Sequence, residues 1–274
     1  MSILNALLAA LLLSPLAFSA PATADDVDPV LQARIDSPQR ADKNRARDVF
    51  RHPGPVLTFF GVKPDSTVVE ILPGAAGYWT EILAPYLKDH GRYIAANFEA
   101  ADTREEAQRE NAGLTAKIAA SPERYSKVET TEFAADRHAI AAPGSADFVL
   151  TFRNLHNWLA RAETAGALKA FYTALKPGGV LGIEDHRGSP DLPQDPLAKS
   201  GYVRQDAAIQ LIEAAGFKFV AASEVSANPK DTKDYSVGVW ALPPTYRLKD
   251  VDRAKYEAIG ESDRFTLKFV KPGA

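Results

Sequence analysis

The chain has 274 residues, 46% hydrophobic and 24% charged, with a formal net charge of −3, a size that suits one α/β domain with a substantial core and a small appendage. A near-balanced charge offers no basic face, so no nucleic-acid partner is expected. Cysteine is absent, which excludes disulfides, zinc-thiolate centres and thiol nucleophiles; the five histidines (52, 90, 138, 156 and 186) lack metal-ligand spacing, and no metal is expected.

The first element is an almost continuously apolar run from Ile3 to Leu16, followed by Ala22-Thr23-Ala24, a small-x-small pattern suited to a signal peptidase. The run is shorter than the roughly 20 residues that span a bilayer. Residues 1–24 are expected to be a signal peptide cleaved after Ala24, leaving a periplasmic or secreted protein with no stable membrane insertion. The alternative is an uncleaved amphipathic or anchoring helix, since no Lys or Arg precedes Arg34. Residues 25–64 are expected to form an N-terminal helical lid. Within it, Ser37-Pro38 reads as an N-cap with proline at the first helical position, opening a charged helix to Phe50. Pro53 and Pro55 are expected to break that helix, and Val56–Phe60 is a short apolar piece.

From Asp65 strand and helix patterns alternate, the signature of a parallel sheet. Strands are predicted at about 67–72, 92–97, 127–132, 146–152, 179–184, 217–223 and 235–241, with helices at about 78–88, 103–120, 157–175 and 203–215. Val225 and Tyr235 are separated by too few residues for a parallel crossover, so the last two strands are expected to pair antiparallel. The fold class is thus α/β: a doubly wound, mostly parallel seven-stranded sheet ending in an antiparallel C-terminal hairpin. Residues 65–242 are expected to form this domain, with 243–274 a tail packing on it. Phe265, Leu267 and Phe269 alternate with polar residues, so the tail contains a half-buried strand.

The most telling stretch is Glu70-Ile-Leu-Pro-Gly74-Ala-Ala-Gly77, between a β-branched run and a helix. A small-residue turn there lets backbone N–H groups at the helix start approach a ligand. The carboxylate of Glu70 suits a charged amine or hydroxyls, and so a nucleoside carrying an amino-acid tail. An ion pair with an arginine such as Arg51 is the structural alternative. Taken together, RHPGPVLTFFGVKPDSTVVEILPGAAGYWTEILAPYL, SADFVLTFRNLHNW, LKPGGVLGIEDHRG and YEAIGESDRFTLKFVKP resemble the class I, Rossmann-like S-adenosylmethionine-dependent methyltransferases, and more narrowly a family of exported bacterial predicted methyltransferases. The resemblance covers roughly residues 40–271. It implies S-adenosyl-L-methionine as methyl donor, a small-molecule acceptor, and donor contacts from Glu70, Gly74 and Gly77. It also implies ribose contact by Asn97, where the family usually has an acid, or by Glu99, and adenine contact by Asp136. Leu72 departs from the family by standing where a glycine is often found.

Ligands in open α/β sheets bind beyond the carboxyl ends of the strands. Arg153-Asn-Leu-His156-Asn follows the fourth strand and Glu184-Asp185-His186-Arg the fifth, so both should face one cleft. His156 is the expected proton acceptor, with Asp185 and His186 orienting it or contacting substrate; a helix cap or packing residue is the plain alternative. Two other functions stand beside the methyltransferase. One is a non-catalytic exported binding protein that keeps the fold, which Leu72 and Asn97 favour. The other is an NAD-dependent oxidoreductase, against which stand the charge of Glu70 and the antiparallel last strands.

Overall fold

The computed structural model describes residues 27–135 and 139–273. The proposed signal peptide and Asp136 lie outside the described residues. Four short helices open the chain: α1 Pro29–Ile35, α2 Asp42–Arg45, α3 Asp48–Arg51 and α4 Pro53–Phe60. The single helix predicted up to Phe50 is therefore divided, and His52 (φ 43°) turns the chain between α3 and α4. Pro53 and Pro55 start a helix rather than break one. Both sit in the first turn of α4, where a missing N–H costs nothing. Val56, Leu57 and Phe60 of α4 are fully buried.

The alternating segments follow as β1 Thr67–Ile71, α5 Thr80–Leu87, β2 Arg92–Phe98, α6 Glu105–Ala120, α7 Pro122–Tyr125, β3 Glu129–Phe133, β4 Ala146–Phe152, α8 Leu155–Ala160, α9 Thr164–Ala174, β5 Leu175–His186, α10 Gln205–Ala214, β6 Lys218–Ser223, α11 Arg253–Ile259 and β7 Arg264–Val270. The helix predicted over 157–175 is split into α8 and α9 around Ala162 (φ 56°). The seven strands form one sheet in the order β3-β2-β1-β4-β5-β7-β6, parallel except for β7, which runs antiparallel to both neighbours. The expected fold class holds, but its last strand lies elsewhere. Residues 235–241 are a turn with a short 3₁₀ segment, Gly238–Ala241, and the antiparallel strand is Arg264–Val270. The two C-terminal strands are consequently joined by the long segment 224–263 rather than a tight hairpin.

Along each inner strand, alternate residues enter different cores. Val68, Tyr93, Ala95, Phe148 and Leu150 pack with α1, α4 and α5. Val69, Ile71, Ile94, Val149, Leu181 and Ile183 pack on the other face, where Trp158 and Phe171 are fully buried. The strand order reverses between β1 and β4, and a crevice opens at the carboxyl ends of this pair. Among the described residues no helix is long and apolar enough to cross a membrane.

Candidate active site

β1 carries Glu70 to the sheet's carboxyl edge, one residue before the strand ends. Its side chain is 2% exposed and accepts a hydrogen bond from the Tyr93 hydroxyl at 2.5 Å. Burial pushes its carboxyl up to about 8, against the opposing pull of the Tyr93 hydrogen bond and the Arg51 charge. Glu70 is therefore mostly protonated at neutral pH. Arg51 forms its ion pair elsewhere, with Glu261 at 3.6 Å.

The chain leaves β1 through left-handed residues: Leu72 at φ 51°, Gly74 at φ 73° and Gly77 at φ 52°. Glycine adopts this region freely, whereas a leucine there costs roughly 1–2 kcal/mol. The Leu72 N–H is tied to the Ala96 carbonyl at 2.8 Å and its side chain packs on the core. α6 roofs the turn. Glu110 Oε2 accepts the Ala75 N–H at 2.6 Å, and a Cβ added at Gly77 would come within 2.9 Å of Lys117.

Two cavities meet at Leu72. The larger, about 300 Å³, has Glu70, Gly74, Trp79, Arg153, His156 and His186 in its wall. The second, about 270 Å³, is lined by Glu99, Phe133 and Ala135 among others. Leu72, Phe98 and Arg161 border both. Gly77 and Asn97 line neither. Asn97 is 8% exposed, and its Oδ1 has no hydrogen-bond partner. β2 ends at Phe98, so the extended spacing that would align Asn97 with Glu99 stops between them.

Parallel pairing of β4 with β5 brings together residues far apart in sequence. Asp185, at the end of β5 and fully buried, accepts three hydrogen bonds. Its Oδ1 meets His156 Nδ1 at 2.8 Å and the His186 N–H at 2.7 Å, while its Oδ2 takes the His156 N–H at 3.0 Å. Burial alone would raise the Asp185 carboxyl, but His156 outweighs it and holds the group low. A carboxylate at Nδ1 selects the tautomer with its proton there, leaving the Nε2 lone pair open. His186 Nδ1 lies 2.5 Å from Ser262 Oγ, and burial keeps its ring neutral, well below the ordinary histidine value. The ligand atoms of His156, Asp185 and His186 lie within 4.8 Å of one another, close enough to suit a cation. The three hydrogen bonds to Asp185 instead describe a fixed acid–imidazole pair.

A charged cluster lies at the wall of the large cavity; the sequence points to Arg51, Arg153 and Arg264 near the cleft, but not to Arg47 or Glu261. Arg47 and Arg51 come from the α3 region, Arg153 from the turn after β4, Arg264 from β7 and Glu261 from just before it. Glu261 Oε1 meets Arg47 Nε at 2.5 Å and its Oε2 meets Arg264 Nη1 at 3.3 Å. Burial would raise the Glu261 carboxyl, but Arg264, Arg51 and Arg47 hold it down to about 2. Arg264 Nη1 also lies 3.3 Å from Glu184. A usable signal existed: Glu261, Asp263 and Arg264 crowd the start of an alternating apolar strand, where solvated charges have no need to be.

No protein-family model matches the chain, and no curated protein matches it by sequence. Solved structures do. It is similar to a SAM-dependent methyltransferase from Aquifex aeolicus, at 19% identity and TM-score 0.55, over 89% of this chain and 98% of that one. Phosphoethanolamine N-methyltransferase 2 of Haemonchus contortus, solved with S-adenosyl-L-methionine, aligns at 14% identity and TM-score 0.55, over 90% of this chain and 60% of that one. The [4+2]-cyclase SpnF aligns at 15% identity and TM-score 0.57, over 87% of this chain and 86% of that one. The fold is that of the class I methyltransferases, a Rossmann-like seven-stranded sheet with antiparallel C-terminal strands.

Proposed function

We propose that this chain is an exported S-adenosylmethionine-dependent methyltransferase acting on a small molecule, in keeping with the exported bacterial family it resembles. The observation that carries the reading is Glu70: a buried carboxyl that accepts a hydrogen bond from Tyr93 and lines a cavity separated by Leu72 from a second one. A carboxyl of this kind suits an ammonium-bearing ligand, whose charge would draw off its proton. The methionyl arm of the donor would lie along Glu70 and Gly74, with Gly77 shaping the turn, and the nucleoside arm would cross Leu72 toward Glu99. Asn97 would support that edge from below; the adenine contact that the resemblance implies for Asp136 lies outside the described residues.

When bound, the donor supplies an electrophilic methyl on its sulfonium. Asp185 fixes the His156 ring, and His156 Nε2 accepts the proton of the acceptor's hydroxyl or amine. Relieved of that proton, the acceptor would be the nucleophile for the methyl that the donor supplies. Base catalysis of this kind contributes about 10²–10⁴ in rate, and positioning up to about 7–11 kcal/mol. His186, held by Ser262, would face the acceptor as a neutral contact. No metal is assigned, because the Asp185 oxygens are engaged by the two histidines.

The test is calorimetry of residues 25–274 with S-adenosylmethionine, followed by labelled-methyl transfer to fractionated metabolite extracts. Binding with transfer supports the enzyme, and absence of binding sinks it. One observation favours a second reading, a non-catalytic binder: Leu72 stands as a wall between the cavities in a left-handed conformation. Donor binding without transfer to any fraction would select it.

A further inference from the structure

We propose that the methyl acceptor carries an oxyanion, a carboxylate or phosphate, held by a guanidinium subsite centred on Arg153. The proposal rests on the methyltransferase reading of the same cavity. Its basis is an imbalance of charge. Buried Arg51 and Arg264 and half-buried Arg47 and Arg153 gather around two carboxylates, Glu184 and Glu261. Both are already engaged: Glu261 by Arg47, Arg51 and Arg264, and Glu184 by Arg264 and the Ser226 hydroxyl at 2.7 Å. Of the other acids nearby, Asp185 is engaged by His156 and His186, and Glu70 is mostly neutral at pH 7.

The surplus lies on the cavity wall. The Arg51 side chain is 3% exposed, and neither its Nε nor its Nη2 finds a hydrogen-bond partner; Arg47 Nη2 is likewise unpartnered. Among the described residues the Arg153 guanidinium has no hydrogen bond or ion pair, and it borders the large cavity. Burial and the neighbouring Arg47 and Arg264 charges draw it down to about 10, even with Glu261 and Glu184 opposing. Arg153 also sits at φ 63°, a strained conformation for a side-chain-bearing residue. A cation without a counter-charge is costly even when half-buried, and a planar guanidinium fork matches a carboxylate or phosphate in two hydrogen bonds.

Two surplus cations exceed the single carboxylate that the donor brings, and their positions divide the work. Arg51 lies 4.3 Å from the Tyr78 ring centroid and acts on Glu70, on the donor side. Arg153 lies three residues before His156 and its charge reaches His186, on the side where the methyl is received. The acceptor's oxyanion would thus anchor it beside the base.

The test is calorimetry of the full mature chain saturated with S-adenosylhomocysteine and titrated with inorganic phosphate, then acetate. One or both should bind, with affinity reduced about ten- to hundredfold in Arg153→Gln and partly restored in Arg153→Lys. Melting curves accompany each variant; Arg153→Gln should melt at or above the wild-type temperature, since the charge it loses has no partner. Failure of both anions to bind the wild type overturns the proposal. So does their displacement by S-adenosylhomocysteine, which would assign the cations to the donor's own carboxylate. A lower melting temperature in Arg153→Gln with unchanged anion affinity would also overturn it, showing a structural charge. Arg153-dependent anion binding in a chain that ignores S-adenosylhomocysteine would sustain the subsite and sink the donor reading.

Discussion

At the scale of single residues, Glu70 reports on whatever charge enters the cavity. Free glutamate loses its proton near 4.5, whereas folded Glu70 keeps its proton up to about 8. Between those values the folded chain binds more protons than the unfolded one, so stability is full below the lower value and falls as pH rises through the upper. The shift corresponds to a loss on the order of a few kcal/mol. Glu70→Gln should flatten the fall in melting temperature between about pH 5 and about pH 8.5 and abolish donor binding; an unchanged pH profile would contradict the buried acid. His156→Ala should lower turnover by about 10²–10⁴ while leaving donor affinity nearly intact, as steady-state and binding measurements on one preparation would show. Full turnover in that variant would remove His156 from the chemistry. Leu72→Gly, which relaxes the left-handed residue and opens the wall between the cavities, should tighten donor binding in the same assay. Glu70 and Gly74 were legible in the sequence because strand, turn and helix are contiguous there. The partner of Arg51 was not, since the segment before β7 brings Glu261 from the far end of the chain.

Among the elements, β7 shows how local preference can mislead. Tyr235–Ala241 is rich in β-branched and aromatic residues and reads as a strand. Yet Gly238 (φ 63°) presses so closely on Ser200 that an added Cβ would sit 2.2 Å from its carbonyl oxygen. Tertiary packing overrides strand propensity in such cases. Arg264–Val270 carries the alternation of a strand, and this segment, rather than 235–241, runs antiparallel to β6. The resulting strand is buried on both sides, with Phe265, Leu267 and Phe269 fully inaccessible. Phe265→Ala should therefore cost about 3–5 kcal/mol, measured by denaturant unfolding; a loss below about 1 kcal/mol would mean that this strand is not a core element. The N-terminal prolines teach a related lesson. Pro53 reads as a breaker when the preceding helix is considered, and as a start once the following apolar turn is.

For the molecule as a whole, the sheet class was legible because alternating segments and crossover lengths depend on chain order alone. Function is less so. One fold holds a methyltransferase from Aquifex aeolicus and the [4+2]-cyclase SpnF, so the assignment depends on cavity chemistry rather than topology.

The position of β7 also bears on when the chain can acquire its shape. Among the described residues β6 joins the sheet only through β7, and residues 264–270 follow every other strand of the sheet in the chain. A nascent polypeptide halted before Arg264 has no partner for β6 and leaves the edge of β5 open. Such stalled chains should remain sensitive to protease, whereas chains extended past Val270 should resist it. The sheet is thus closed by a strand that follows all the others in the chain.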